Sequence, residues 1–275
     1  MNEEIHNFLI INQIAFETDS SLSTFNTYYL PQHKLYLHLI TLQKFQELAL
    51  PKDYFQKLSD TINAKGERII HLWEDVWLNQ RDLVQSRILA MIGKFERINA
   101  RHCIVERIDK KISDKFLNIN HLQGSVSAKF KYGLYLKPQY IEKYLGIVSQ
   151  EKQLIAVATF SGVRLMKHGE RIGQRSFELI RFASLRGYSV MGGMDKLLKA
   201  FSGEHIPDDI MSYADRDWSD GRSYEILGFD RIEITESQTF LLDNQTFKRF
   251  SGKESLENYT NIFNAGSIKY IKKLS

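Results

Sequence analysis

Side chains able to do chemistry concentrate between residues 177 and 229, beside a glycine turn. Glu178 lies in a strand-like run, Phe177–Phe182, and the pair Gly192-Gly193 precedes a helical pattern. A glycine turn at a helix start leaves backbone N–H groups available to bind an anion such as a pyrophosphate. A carboxylate nearby can take a proton from an incoming amine. This arrangement suits acyl transfer, and a plain helix-capping turn remains the simpler interpretation of the glycines.

Two further side chains in this stretch could take part. Asp215 follows the next apolar run and is a second candidate base, and Tyr224 could protonate a leaving thiolate. Each candidate has an ordinary structural alternative. Glu178 could pair with Arg181, Asp215 could belong to a solvated turn, and Tyr224 could be a half-buried core aromatic.

A metal site is the other chemical possibility. His71, Glu74 and Asp75 follow a strand-like run, and His33 and His38 lie in a predicted hairpin. Mg²⁺ prefers carboxylate oxygens, yet residues 20–46 contain neither Asp nor Glu. The sequence therefore predicts no metal site.

The elements that must position these side chains follow from hydrophobic periodicity and turn residues. In the first part, the patterns predict a strand or irregular entry over 5–16, a hairpin over 28–40, a helix over 43–64 interrupted at Pro51, a strand over 68–73 and a helix over 77–95. In the second part, they predict strands over 101–108, 131–136, 154–160 and 177–182, a helix capped by Ser113, a helix over 195–201, strands over 232–234 and 240–242, and a basic tail from Ser267.

Composition limits the class of protein. The chain has 275 residues, 43% hydrophobic and 25% charged, as in soluble globular proteins. No apolar run reaches the roughly 20 residues of a membrane span, and the single cysteine, Cys103, allows no intrachain disulfide. We therefore expect a cytoplasmic protein without a membrane partner, with Cys103 buried as a small hydrophobe.

Charge is unevenly distributed along the chain. Residues 1–100 carry 10 Lys and Arg against 12 Asp and Glu, a net charge of −2, whereas residues 101–275 carry 27 against 21, a net of +6. Any affinity for nucleic acid should lie mainly in the second part. A solvated surface explains the modest excess equally well.

Residues 177–229 resemble the Gcn5-related N-acetyltransferase (GNAT) fold. The phrase SVMGGMDKLL looks like the coenzyme A loop of that fold, and YEILGF looks like its later motif, in which a Tyr can act as general acid. The resemblance implies acetyl-CoA or another acyl-CoA as cofactor. It implies a cofactor-binding set of Ser189, Val190, Met191, Gly192, Gly193 and Lys196, and a catalytic set of Glu178, Asp215 and Tyr224.

A wider resemblance covers about residues 25–245. The phrases KGERIIHLWEDVW, ARHCIVERI, NHLQG, FELIRF and SYADRDWSDG look like those of phage proteins labelled homing endonuclease-like. In that group a restriction-like nuclease segment precedes a GNAT-like segment, which implies domains over 1–98 and 99–275. The GNAT-like part is also weakly similar to Mom-type DNA modification proteins.

The chain departs from both patterns. The acidic residues of the nuclease segment fall on Thr27 and His38, so we expect a degenerate segment without nuclease activity. In the coenzyme loop, the usual Arg or Gln falls on Ser189, and a bulky Met194 stands where a small residue is usual.

The sequence thus predicts an α/β (α+β) protein. A degenerate restriction-endonuclease-like N-terminal domain precedes a GNAT-fold C-terminal domain with a mixed sheet. The predicted function is acyl transfer, with DNA or a nucleotide as a possible partner. The alternative is a non-catalytic DNA-binding protein derived from a phage homing-endonuclease-like ancestor. The sequence does not indicate an oligomeric state.

Overall fold

The computed structural model describes residues 1–167, 172–252 and 257–274, and it confirms an α/β protein with mixed sheets. The chain forms two compact units, each assembled from separate segments. Unit 1 comprises Met1–Arg81, Tyr213–Ile226 and Arg231–Tyr270, and unit 2 comprises Asp82–Ser212, Leu227–Asp230 and Ile271–Ser275. The first passage between units, after residue 81, differs from the domain boundary predicted after residue 98. The boundary after residue 98 separates the nuclease-like segment from the GNAT-like segment, and it stays a prediction.

Unit 1 begins with helices around a small sheet. Its first elements are α1 (Asn2–Ile11), β1 (Glu17–Thr18), β2 (Asn26–Leu30), β3 (Leu35–Ile40), α2 (Leu42–Glu47), α3 (Tyr54–Ala64) and β4 (Arg68–Trp73). The strand order is β1-β2-β3-β4, with the predicted hairpin antiparallel and β3 parallel to β4. All six residues of β3 are buried, so this strand lies at the centre of the core.

The later segments of unit 1 add a second sheet. They contain α8 (Arg222–Ile226), β13 (Asp230–Ile234), β14 (Thr239–Asp243), β15 (Arg249–Ser251) and β16 (Tyr259–Phe263). The order β15-β14-β16 is antiparallel. Leu242 and Ile262 from this sheet share a core with Phe55 and Trp73. Apolar burial of this kind is the main stabilising contribution in a domain of this size.

The N-terminal segment differs from its prediction. Residues 5–16 were expected to be a strand or irregular, but the chain is helical from Asn2 to Ile11. Ile5, Phe8 and Leu9 are buried at i, i+3 and i+4, the spacing of one helical face. The helix has acidic residues in its first turn, where the helix dipole favours them.

Unit 2 is built on a larger sheet. It contains most of α4 (Glu74–Met91), then β5 (Glu96–Asn99), β6 (Cys103–Arg107), α5 (Lys110–Asn120), β7 (Phe130–Leu136), α6 (Ile141–Leu145), β8 (Gln153–Phe160), β9 (Arg164–Leu165), β10 (Arg175–Ser184), β11 (Tyr188–Met191), α7 (Gly193–His205), the first part of β12 (Asp209–Asp215) and the end of β17 (Ser267–Lys273). The order within this unit is β17-β12-β10-β8-β7-β6. The pairs β6–β7, β7–β8 and β8–β10 are antiparallel, whereas β10 and β12 are parallel.

Helix α7 connects the parallel strands and covers one face of the sheet. Phe201 stacks on Phe160 at 3.9 Å between ring centroids and meets Phe177 edge-on at 5.2 Å. Leu197 and Leu198 complete the buried stripe. The predicted amphipathic helix is therefore confirmed, and its apolar face defines the side of the sheet on which Phe160 and Phe177 lie.

Two local predictions need correction. Ser113 does not cap α5, because Asp109 lies at the cap and its Oδ1 accepts a hydrogen bond of 2.8 Å from the N–H of Ile112. Ser113 is buried one turn inside the helix. The sequence also missed β11, which intervenes between β10 and α7 and pairs in parallel with β5.

Candidate functional site

The glycine turn of unit 2 adopts the geometry expected at a helix start. Gly192 has φ of +75° and directly precedes α7. This left-handed conformation suits glycine, which lacks a Cβ. The first N–H groups of a helix have no partner within it, and the helix dipole places partial positive charge there. The turn can therefore bind an anion.

Close packing around position 193 requires a glycine there. A Cβ at this position would lie 2.9 Å from Val190 Cβ, closer than side chains tolerate, and would also contact Leu134 Cδ2 at 3.4 Å. The residue thus permits α7 to approach the sheet. A bulky residue at 193 would disturb this packing with or without a ligand, so such a variant cannot test anion binding by itself.

The other predicted cofactor residues divide by exposure. Ser189 and Val190 pair with Arg97 and Ile98 of β5, and Val190 is buried. Met191 is 50% exposed immediately before the turn. Lys196 donates from Nζ to the carbonyl oxygens of Ala100 at 2.9 Å and of Cys103 at 2.6 Å. The ammonium of Lys196 therefore holds backbone, and the cofactor role of this set stays a prediction.

Strand β10 is paired to β12 over only part of its length. The parallel pairing runs from Ser176 with Asp209 to Glu178 with Met211, and the Ser212 hydroxyl then donates to the Leu179 carbonyl at 2.8 Å. β10 continues to Ser184. On its other edge, the register with β8 shifts between residues 179 and 181, which marks a β-bulge. Crevices at the carboxyl ends of parallel strands are the usual ligand sites of open α/β sheets.

Glu178 stands where the paired part of β10 ends. Its neighbours Phe177 and Leu179 are buried, and Phe177 packs on α7 through Phe201. Because successive strand residues alternate between faces, the half-buried Glu178 side chain lies on the opposite face. The Glu178 N–H donates to Ser161 Oγ at 2.9 Å, which fixes the backbone at this point.

Asp215 and Tyr224 belong to unit 1. Asp215 Oδ1 accepts a hydrogen bond of 3.0 Å from the N–H of Asp217. Burial, followed by the nearby Asp215 carboxylate, raises the pKa of Asp217 to about 8. The Tyr224 ring stacks on Tyr270 with centroids 5.2 Å apart. The catalytic roles predicted for Asp215 and Tyr224 stay predictions.

The two positions that depart from the nuclease pattern are cross-strand neighbours. Thr27 pairs with His38 in the hairpin, and both side chains are buried. His38 Nδ1 lies 2.9 Å from Nδ1 of His71, and the outer ring nitrogens bond Ser23 Oγ at 2.8 Å and Ser59 Oγ at 2.9 Å. A hydrogen-bonded row of hydroxyls and neutral imidazoles thus crosses the core of unit 1.

The remaining carboxylates of that segment support local structure. Glu74 Oε2 accepts from the N–H of Leu42 at 2.8 Å. Asp75 receives two hydrogen bonds from the Arg249 guanidinium, at 2.6 and 2.8 Å. In the described ranges, no three His, Cys, Asp or Glu side chains come together as a metal-binding group.

The buried histidines should make the stability of unit 1 depend on pH. Burial lowers the pKa of His38 to about 3. Burial also lowers the pKa of His71 well below 6.5, and the nearby His38 and Arg216 lower it further. Both stay neutral in the fold, so their contribution is complete above pH 6.5 and is lost as the pH falls toward 3. Asp217, with its raised pKa, acts in the opposite sense: its contribution is lost as the pH rises from 3.8 through 8.

We therefore expect a net loss of about 1.4 kcal/mol per pH unit between pH 6 and 4, from two histidines opposed by one carboxyl. Tryptophan fluorescence during urea unfolding measures it, because Trp73, Trp77 and Trp218 all lie in unit 1. The control variant Asp217→Asn should steepen the acid slope and remove the loss between pH 7 and 8. Stability that rises as the pH falls from 7 to 4 would show that the imidazoles titrate normally, because only Asp217 would then contribute.

Sequence reasoning missed a polar group on the face of the sheet that α5 covers. Thr159 Oγ1 and Ser113 Oγ are both buried without a hydrogen-bond partner in the described structure. Arg181 lies directly across from Thr159 in the register of β10 with β8. No local motif marks these residues, because they come from three elements far apart in the chain.

Comparisons with protein-family profiles and with curated protein sequences find no match. Among solved structures, the chain is similar to Arabidopsis thaliana NAA60 in complex with acetyl-CoA, with a TM-score of 0.37 and 9% identity over 62% of this chain and 99% of that one. A Bacillus subtilis acetyltransferase in complex with CoA gives a TM-score of 0.36 and 13% identity over 63% and 99%. The KacTA–DNA complex gives 0.32 and 16% identity over 48% and 86%. Because these TM-scores lie below 0.5, the similarities do not establish a family for the chain.

Proposed function

We propose that this protein is a GNAT-type acyltransferase that moves an acyl group from acetyl-CoA or another acyl-CoA to an amine. The observation that carries the proposal is the geometry of β10. Its parallel pairing with β12 stops after three residue pairs, a bulge follows, and the crossover helix α7 starts from a glycine turn. A strand edge beyond its paired residues and a helix N-terminus together suit a long donor with amide groups and phosphates.

The fit to coenzyme A depends on charge and space at the turn. The donor phosphates would lie at the N-terminus of α7, over Gly192. Asp195, in the first turn, is paired with Lys199 at 2.8 Å, which moderates its repulsion of a phosphate. Bound acyl-CoA supplies an activated thioester carbonyl. Glu178 would take the proton of the attacking amine, with Asp215 as the second candidate, and Tyr224 would return a proton to the leaving thiolate.

The proposal of a nucleic-acid partner rests on the charge distribution alone. The net charge of +6 after residue 100 favours an acidic partner such as DNA or a nucleotide. We also propose that the first segment descends from a nuclease, because Thr27 and His38 occupy the positions of its acidic residues. None of the helices in the described parts of the chain combines the length and apolar character that a membrane span requires.

A charge placed at Met191 tests the donor site without disturbing the core. Met191 is exposed and precedes the glycine turn, so Met191→Glu should weaken acetyl-CoA binding at least about tenfold by repelling phosphates, equivalent to about 1.4 kcal/mol. Met191→Gln, of matched size, should bind within threefold of the wild type. Calorimetric titration measures both. Absence of binding to the unmodified protein, or equal binding by the two variants, contradicts this placement of the donor.

A further inference from the structure

The α5 face of the sheet carries a group of polar side chains beside Glu178. Ala183 packs with Val157 against Phe116 and Leu117 of α5, which identifies the face that this helix covers. In the pairing of β10 with β8, Ala183 is opposite Val157 and Arg181 is opposite Thr159. Since residues two apart on a strand share a face, Arg181 and Thr159 also lie on the α5 face.

Glu178 shares this face, as the alternation on the other side of the bulge shows. Leu179 is paired with Phe160, whose ring stacks on α7. The side chain before Leu179 must therefore point away from α7. The candidate base and Arg181 consequently lie on one side of the sheet, within a few residues of the bulge.

Two buried hydroxyls under α5 have no partner in the described structure. Thr159 Oγ1 and Ser113 Oγ are almost fully inaccessible, at 0% and 1% residue exposure. Ser113 shares the helical face of Phe116 and Leu117, which contacts this side of the sheet. Native proteins rarely leave such groups unsatisfied, and an exception indicates ordered water or a ligand.

Two arginine side chains, from β10 and α4, act electrostatically on His121. His121 directly follows α5, and burial, followed by Arg181 and then Arg87, lowers its pKa to about 3. The N–H of Gln123 donates to His121 Nδ1 at 3.1 Å. The ring is therefore neutral with its proton on Nε2, so it is a hydrogen-bond donor beside two guanidinium groups.

Backbone contacts hold these elements together. The N–H of Arg186 donates to Asn120 Oδ1 at 2.8 Å, and the N–H of Gly187 donates to Ser86 Oγ at 3.0 Å. The ends of β10 and α5 and the second half of α4 thus meet at one corner of unit 2. On β10 itself, Arg181 Nη1 donates to the Ile180 carbonyl at 2.9 Å. A guanidinium can also bind a carboxylate or phosphate with two parallel hydrogen bonds.

From this arrangement we infer that the amine acceptor carries an anionic group, a carboxylate or a phosphate, which Arg181 binds on the α5 face while Glu178 faces the amine. The inference rests on the proposed acyl transfer and names its acceptor class: small amines with an acidic group rather than neutral or polycationic amines. Thr159 and His121 would supply further donors to the same oxygens.

Matched amines test the acceptor class. O-Phosphoethanolamine is compared with ethanolamine, and β-alanine with β-alaninamide, in a thiol-release assay with acetyl-CoA. We expect the anionic member of at least one pair to have a kcat/KM at least 30-fold above its neutral partner. The pair that shows this preference distinguishes phosphate from carboxylate. Equal use of both members, or preference for the neutral ones, overturns the inference while leaving acyl transfer intact.

Variants assign the preference to the α5 face. Arg181→Met should abolish the preference by lowering kcat/KM for the anionic amine at least 30-fold and changing that for the neutral amine less than threefold. Arg181→Lys should restore part of it. Arg186→Met is the control, because Arg186 is exposed and paired with Asp82. An equal loss for both amines in Arg181→Met would show that the residue is structural.

Thr159→Val keeps the test valid if Arg181 variants fold poorly. Replacing an unsatisfied buried hydroxyl by a methyl group should leave the melting temperature unchanged or higher. It should raise KM for the anionic amine severalfold and leave the neutral amine unaffected. A lower melting temperature with unchanged KM contradicts a ligand role for this hydroxyl.

Binding of the two anionic amines is also titrated without acetyl-CoA. If acyl transfer itself fails, binding lost in Arg181→Met supports the anion site, and no binding of either amine overturns it.

Discussion

Glu178→Gln should lower the rate of acyl transfer by at least about 100-fold, because a positioned base contributes roughly 10²- to 10⁴-fold to proton removal. The amide keeps the size of the side chain and its place on the α5 face of β10, but it cannot accept a proton. Binding of acetyl-CoA should stay within twofold, since the proposed donor site lies at the N-terminus of α7. The measurement is kcat from thiol release together with the Kd for acetyl-CoA.

The pH profile separates a base from a merely structural carboxylate. The deficit of Glu178→Gln should shrink above the pKa of the acceptor amine, because the amine then arrives deprotonated. Glu96→Gln, an exposed change on β5 in the same unit, is the matched control and should retain full activity. A deficit that is constant with pH would argue against proton removal by Glu178.

The same assay decides between the candidates. Should Asp215→Asn reproduce the pH-dependent deficit and Glu178→Gln not, the base is Asp215. Tyr224→Phe should slow turnover and leave donor binding unchanged, since it removes only the proton donor. Both side chains lie in unit 1, so an effect of either on kcat would also show that residues of that unit contribute to the reaction.

Arg249→Met should destabilise unit 1 by about 3–5 kcal/mol, because it leaves the buried Asp75 carboxylate without its bidentate partner. The guanidinium also lies over the Trp73 ring, with 5.5 Å to the centroid, which adds a smaller cation–π contribution. Asp75 lies in the first turn of α4, which directly follows the buried strand β4. Loss of this ion pair should therefore destabilise the centre of unit 1.

Urea unfolding followed by far-ultraviolet circular dichroism and tryptophan fluorescence measures this cost. The double variant Asp75→Leu/Arg249→Met should recover much of the stability, since replacing a buried ion pair by apolar groups is often neutral. Lys57→Met is the surface control: its ion pair with Asp53 is exposed, and its loss should cost less than about 1 kcal/mol. A cost below 1 kcal/mol for Arg249→Met would mean that solvent reaches Asp75.

The sequence by itself determined the elements whose pattern is local. The hairpin over β2 and β3, the buried strand Arg68–Trp73 and the amphipathic helix after Gly192-Gly193 follow from alternation, from 3.6-residue periodicity and from glycine. The N-terminal helix was not predicted because other apolar residues around Ile5, Phe8 and Leu9 obscure the helical periodicity. Strand β11 was not predicted because its four residues are stabilised by pairing with β5, some 90 positions earlier in the chain.

Only the tertiary structure decided what the individual polar residues do. The ammonium of Lys196 bonds two backbone carbonyls, Glu74 caps α2, and His38 pairs with His71 in the core, none of which has a local signature. The α5 face beside Glu178 is the clearest case, since Arg181, Thr159 and His121 meet there through strand register and helix packing. Periodicity reports which face of an element is apolar, but the partner of a buried polar group is chosen by residues distant in sequence, whose approach only the fold defines.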